Sequence, residues 1–156
     1  MKSLVVYYSR TGITKTVAEA VKQALSSDIE DIHDSKTRTG VLGWMGAGRD
    51  ATLKRATPIA TTSVSPGDYD LVIVGTPVWA FTMSSPVRTW LSEHGRRLKR
   101  AAFFCTMGGT GDNRTFRHME ELSLKPVATM TLIDKDVRKG AFAEKVKLFL
   151  DALPKS

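Results

Sequence analysis

Ser3-Leu4-Val5-Val6-Tyr7-Tyr8-Ser9-Arg10-Thr11-Gly12-Ile13-Thr14 is the stretch on which the reading of this chain turns. Residues 3–8 are β-branched and aromatic, apolar on both faces, as a strand covered on two sides must be. Residues 9–14 are polar and contain a glycine. From Ile13 the apolar side chains recur at Val17, Val21 and Leu25, with Ala20 and Ala24 beside them, which is a helical stripe. A buried strand that passes through a short polar loop straight into a helix opens a βα unit, and βα units build parallel sheets.

The same rhythm continues outward. Residues 28–33 alternate weakly and predict an edge-like second strand. Asp70-Leu71-Val72-Ile73-Val74-Gly75 predicts a third, apolar through its middle. Ser85-Pro86 predicts a helix start with proline at its first position, continued by Val87, Trp90, Leu91 and His94. Residues 101–106 predict a fourth strand. Asp112 is placed to cap a helix carrying Phe116, Met119 and Leu122. Residues 127–132 predict the last strand, and Phe142, Val146, Phe149, Leu150 and Leu153 the final helix. The expected fold is α/β, a doubly wound five-stranded parallel sheet of order 2-1-3-4-5. It occupies residues 1–156 as one domain, interrupted by a surface excursion at 36–58. That excursion holds four glycines around Trp44, and five basic residues against Asp50, a net +4.

The chain has 156 residues, 42% hydrophobic and 25% charged, so it can bury a core of ordinary size and does not read as disordered. No apolar run approaches the roughly 20 residues of a membrane span. One cysteine, Cys105, leaves no disulfide framework, and no Cys/His cluster has zinc spacing. A cytoplasmic location is the simplest expectation. Lys and Arg exceed Asp and Glu by 23 to 16, a net +7, which favours acidic partners or anionic ligands. No nucleic-acid recognition motif accompanies that charge, and a nucleic-acid partner is not expected.

In a doubly wound sheet the ligand lies outside the C-terminal strand ends, where strands 1 and 3 diverge. Three loops meet there. The first is Ser9-Arg10-Thr11-Gly12-Ile13-Thr14, whose hydroxyls and helix N-terminus suit a phosphate, either as a cradle or as a plain helix cap. It has neither the P-loop nor the GxGxxG spacing. The second is Thr76-Pro77-Val78-Trp79-Ala80-Phe81-Thr82-Met83, where Trp79 either stacks on a planar ring or packs on the neighbouring helix. The third is Thr106-Met107-Gly108-Gly109-Thr110-Gly111, whose glycines expose backbone donors and acceptors to the polar edge of a heterocycle.

With these three loops in place, S-R-T-G-I-T, G-T-P-V-W and T-M-G-G-T-G each following a strand, the sequence resembles the flavodoxin family over all but residues 36–58. The resemblance implies FMN as cofactor. Residues 9–14 would then hold its phosphate, and residues 76–81 and 106–111 would flank the isoalloxazine. It also implies electron transfer to a redox partner protein or a small aromatic acceptor. The alternative is an FMN-dependent oxidoreductase acting on a quinone or porphyrinogen-type substrate, and a flavin-free interaction module is a third reading. Two departures stand out. Gly108 and Gly109 occupy the loop where many flavodoxins carry a stacking tyrosine, and the charge is +7 where carrier flavodoxins are acidic. The basic excursion at 36–58 is expected to dock an acidic redox partner or an anionic substrate beside the flavin edge; the plainer alternative is a solvated loop that covers strand 2.

A phospho-receiver with the same topology would need an acceptor Asp after strand 3 and acids after strand 1; Gly75-Thr76 and Ser9-Arg10 stand there instead. Arg10 either pairs with the phosphate or faces solvent. His33, His94 and His118 have no partner at metal spacing and read as surface residues; Cys105 reads as core. The run 96–100, with Arg96, Arg97, Lys99 and Arg100, reads as a solvated face after a helix.

Overall fold

A computed structural model describes residues 1–33 and 64–155. The excursion at 36–58, with Trp44, lies outside the described residues. Strand β1 (Ser3–Tyr7) is buried along its whole length and leads into α1 (Ile13–Leu25). Strand β2 (Asp28–Asp31) lies at one edge, paired parallel to β1. Strand β3 (Leu71–Trp79) lies on the other side of β1, in parallel register from Ser3↔Leu71 to Tyr7↔Gly75. Strand β5 (Ala101–Met107) follows β3, and β6 (Thr129–Ile133) closes the far edge. The order β2-β1-β3-β5-β6 is the expected 2-1-3-4-5 with a hairpin strand, β4 (Thr82–Met83), added to β3.

The period of two along each strand divides the core into two layers. Leu4, Val6, Val72, Val74 and Phe103 point to one face, where Val87, Trp90 and Leu91 of α2 (Ser85–His94) and Met119 of α3 (Asp112–Leu122) cover them. Val5, Tyr7, Leu71, Ile73 and Phe104 point to the other, under Val17, Ala18 and Val21 of α1. Val137 of α4 (Asp134–Arg138) and Val146 and Phe149 of α5 (Ala143–Ala152) complete that layer. Helix α2 starts as expected, with Pro86 in its first turn. Cys105 is fully buried, and burial pushes its thiol up to about 12, so it is a core residue.

The structure corrects several expectations. The residues read as the second loop are in part strand: β3 runs on to Trp79 and turns back through Ala80-Phe81 into β4. Asp112 does not cap α3. Gly111 holds that position at φ +108°, and the Asp112 carboxylate accepts a hydrogen bond from Thr131 Oγ1 at 2.9 Å. The sequence pattern did not announce α4. His118 is buried, not superficial, and its Nδ1 lies 2.7 Å from Thr82 Oγ1. His94 is half-buried against Trp90, with ring centroids 4.9 Å apart. The basic run does more than face water. Arg96 donates to the carbonyls of Glu121 and Ser123 at the end of α3, and Arg97 donates to Glu93 O in α2. Cations there complement the negative ends of both helices.

Candidate functional site

The C-terminal ends of β1, β3, β5 and β6 surround a cleft of about 340 Å³. That lies within the roughly 300–1,000 Å³ typical of small-molecule sites. Arg10, Thr11, Ile13 and Thr14 line it from the first loop, Pro77, Val78 and Trp79 from β3, and Thr106 and Gly108 from β5 and its loop. The expected crevice is therefore formed by all three loops.

The first loop carries β1 into the N-terminus of α1. Gly12 adopts φ +94°, a backbone conformation that a side chain would strain, and so turns the chain into α1. Ser9 Oγ accepts the Gly12 N–H at 3.0 Å, which ties the loop to itself. Among the described residues no side chain caps the first turn of α1, and that turn holds no acid, so nothing in it offsets the positive dipole end of the helix. Thr11 is exposed, whereas Thr14 is buried with its Oγ1 2.9 Å from Thr106 Oγ1. The hydroxyl pair joins the first loop to the third.

Trp79 packs on Tyr8 at the end of β1, not on the neighbouring helix, and it also lines the cleft. It is 7% exposed and stands edge-on to Tyr8 with ring centroids 5.5 Å apart. Gly108 and Gly109 have open space where a side chain would project. Other residues of the three loops shape the site from behind. Thr76 is fully buried; its hydroxyl donates to Pro77 O at 2.8 Å and accepts the Ser84 N–H at 3.0 Å. Met107 is buried, and Thr110 is exposed beside the mouth. Ala80 and Phe81 form a two-residue turn with φ +48° and +65°, and Phe81 is 54% exposed. Left-handed conformation at a non-glycine residue costs of order 1–2 kcal/mol, so this turn is held in place by its surroundings. Gly111 is part of that surround: a Cβ there would stand 3.0 Å from Val78 Cγ1 and 3.2 Å from Phe81 Cα.

Two lining residues were not anticipated. Asp134 and Arg138, from α4, also line the cleft. Their spacing of four residues on one helix face is visible in the sequence, but nothing there says that this face turns toward β1. Burial pushes the Asp134 carboxyl above its ordinary range, and the Arg138 charge partly offsets this. A carboxyl with a raised folded-state pKa holds its proton more tightly when folded, so stability falls as pH rises upward from the ordinary carboxylate value. Asp134→Asn should therefore melt higher than the parent at pH 7. The difference should shrink on acidification to pH 4, measured by thermal denaturation at both pH values. Parallel curves for the two proteins would show that the carboxyl carries no such penalty.

The family profile described as Flavodoxin matches residues 2–147. Among solved structures, a flavoprotein from Lactobacillus acidophilus NCFM in complex with FMN is 23% identical; the match covers 88% of this chain and 97% of that one at a TM-score of 0.69. A protein from Bacteroides uniformis ATCC 8492 assigned as a flavoprotein is 22% identical over 96% of this chain and 97% of that one, TM-score 0.81. An NADH:FMN oxidoreductase in its apo form is 14% identical over 100% and 92%, TM-score 0.58. At these identities the likeness speaks for the fold. The residues present suit FMN on independent grounds. A dianionic phosphate matches an acid-free helix N-terminus flanked by hydroxyls, and a flat ring matches a cleft with Trp79 on one side and side-chain-free glycine on another. The profile match takes in every element described here except the second half of α5, and on that ground the chain belongs to the flavodoxin family.

Proposed function

We propose that this flavodoxin-family protein binds FMN in the cleft between β1, β3 and β5 and carries electrons between redox partners. FMN supplies the redox chemistry when bound. The chain's own residues bind and orient it: the first turn of α1 with Thr11 and Thr14 at the phosphate, and Trp79 and the 106–111 loop at the ring. The observation that carries the reading is the cleft itself, with neutral donors at one end and an aromatic wall beside open glycine at the other. Ala80, Phe81, Gly108, Gly109 and Thr110 around the mouth are all exposed, so a partner needs only to approach the edge of the ring. With a net charge of +7, an acidic partner is favoured. Residues 36–58, with their net +4, belong to the same proposal as its docking surface.

The test has two stages. Titrating the purified protein with FMN should give a saturable yellow complex and quench tryptophan fluorescence. Trp79→Phe should bind FMN more weakly and lose part of the quenching. Stacking on a protein aromatic is worth about 1–3 kcal/mol in nucleic-acid cases, which sets the scale. Parental affinity and quenching in that variant would confine Trp79 to the core. The loaded protein should then exchange electrons with acidic redox proteins at rates that fall steeply with ionic strength. A second reading, an FMN-dependent oxidoreductase acting on a quinone or porphyrinogen-type compound, is favoured by the room above Gly108 and Gly109, where a planar substrate could lie. Saturable turnover of such a substrate, with no salt-sensitive transfer to protein partners, would decide for it.

A further inference from the structure

We propose that Thr82, His118 and Arg88 form a buried positioning cluster that holds the Ala80-Phe81 turn and Trp79 in the geometry the flavin ring meets. The inference rests on FMN occupying the cleft as proposed above.

Thr82 follows the turn directly and pairs with Trp79 across the hairpin. It is 2% exposed. Its Oγ1 lies 2.7 Å from His118 Nδ1 of α3 and accepts from an Arg88 terminal nitrogen of α2 at 3.0 Å. Two helices thus grip one hydroxyl at the base of the turn. The guanidinium can only donate, so Thr82 accepts there and has its hydrogen to give to His118 Nδ1. The hydroxyl therefore meets a partner on two sides, one from each helix.

The hairpin cannot hold this shape by itself. Strand β4 is two residues long, and its ladder consists of Val78↔Met83 and Trp79↔Thr82. Two-residue hairpin loops with both residues left-handed call for Asn-Gly or Gly-Gly. Here the residues are Ala80 and Phe81. Strain of this kind persists where the surroundings over-determine it, and it gathers at functional sites.

The cluster is also an expensive way to pack a core. Burial works against the Arg88 charge, with Glu121 only partly offsetting it, and the Arg88 Nε is buried without a hydrogen-bond partner among the described residues. An apolar residue would fill the same space without that penalty. A hydroxyl gripped from two directions fixes position, which apolar contact does less well.

The test compares Thr82→Val, which keeps the shape and removes the hydroxyl, with Thr82→Ser, which keeps the hydroxyl. Thr82→Val should weaken FMN and riboflavin alike, by about tenfold, the low end of the scale for losing an outer supporting partner at metal sites. The visible circular dichroism of bound flavin should change with it. Thr82→Ser should stay within about twofold of the parent. If Thr82→Val does not fold, Arg88→Met and His118→Asn decide by the same measurements, and each should weaken both ligands. Parental affinity and dichroism in the folded variants overturns the proposal, even if the urea midpoint drops. Loss of FMN binding with riboflavin binding intact also overturns it, because the hairpin borders the ring end of the cleft. Failure of the underlying reading looks different: Thr11→Ala and Thr14→Ala would leave FMN affinity untouched.

Discussion

Replacing Thr11 and Thr14 together by alanine is expected to weaken FMN binding by about 3–6 kcal/mol while riboflavin binding changes little. Each hydrogen bond to a charged group is worth about 1.5–3 kcal/mol, and the two hydroxyls stand at the first turn of α1. The two contributions differ in kind. Thr11 is exposed at the cleft, so its alanine variant removes a donor and disturbs nothing else described in the loop. Thr14 is buried and bonded to Thr106, so its replacement also leaves Thr106 Oγ1 without that partner. Thr106→Val supplies the control: it breaks the same pair from the other side while leaving the Thr14 hydroxyl in place. Isothermal titration with FMN and riboflavin separates the effects, since only FMN carries the phosphate. Equal losses for both ligands would remove residues 9–14 from the phosphate site.

The largest expected effect on stability falls on a residue that touches no ligand. Gly75 lies in the middle of β3, opposite Phe104 of β5 in the parallel register. A Cβ at Gly75 would come within 2.1 Å of Phe104 Cζ and 2.6 Å of Cε2, inside a ring that is itself fully buried. The ring has nowhere to retreat, because the layer it fills is closed by Leu71, Ile73 and the helices above. Overpacking a core costs typically about 1–3 kcal/mol and occasionally more, and Gly75→Ala should sit at the upper end, roughly 3 kcal/mol. At about 2–4 °C per kcal/mol for a chain of this size, the melting temperature should fall by roughly 6–12 °C. Phe104→Leu in the same chain should recover part of the loss, giving a coupling energy of about 0.5–3 kcal/mol in a double-mutant cycle. Additive losses would mean that the ring does not occupy the space above Gly75.

Strands β1, β3 and β5 were legible from single stretches because they are buried on both faces, and such strands read as unbroken apolar runs. Helix α1 was legible because one face is apolar and the other charged. The place of the cleft followed, since a parallel sheet with these connections has one switch point, and half of residues 9–14, 76–81 and 106–111 line the cleft there. What stayed hidden depends on contacts between residues far apart in the chain. Nothing near His118 announces that it reaches Thr82, 36 positions away. The alternation expected of a surface histidine and of this buried one is the same. Ala80-Phe81 carries no turn signal, because its left-handed conformation is imposed by Gly111 and the Thr82 cluster, not by its own preference. Asp134 and Arg138 enter the cleft because α4 folds back over α1, and a five-residue helix is too short to show a periodicity. The sequence by itself determined the layers, the strand order and the three loops, because burial and periodicity are local properties. Only the tertiary structure decided which side chains in those loops line the cleft and which brace the loops from behind, because that depends on packing across the sheet.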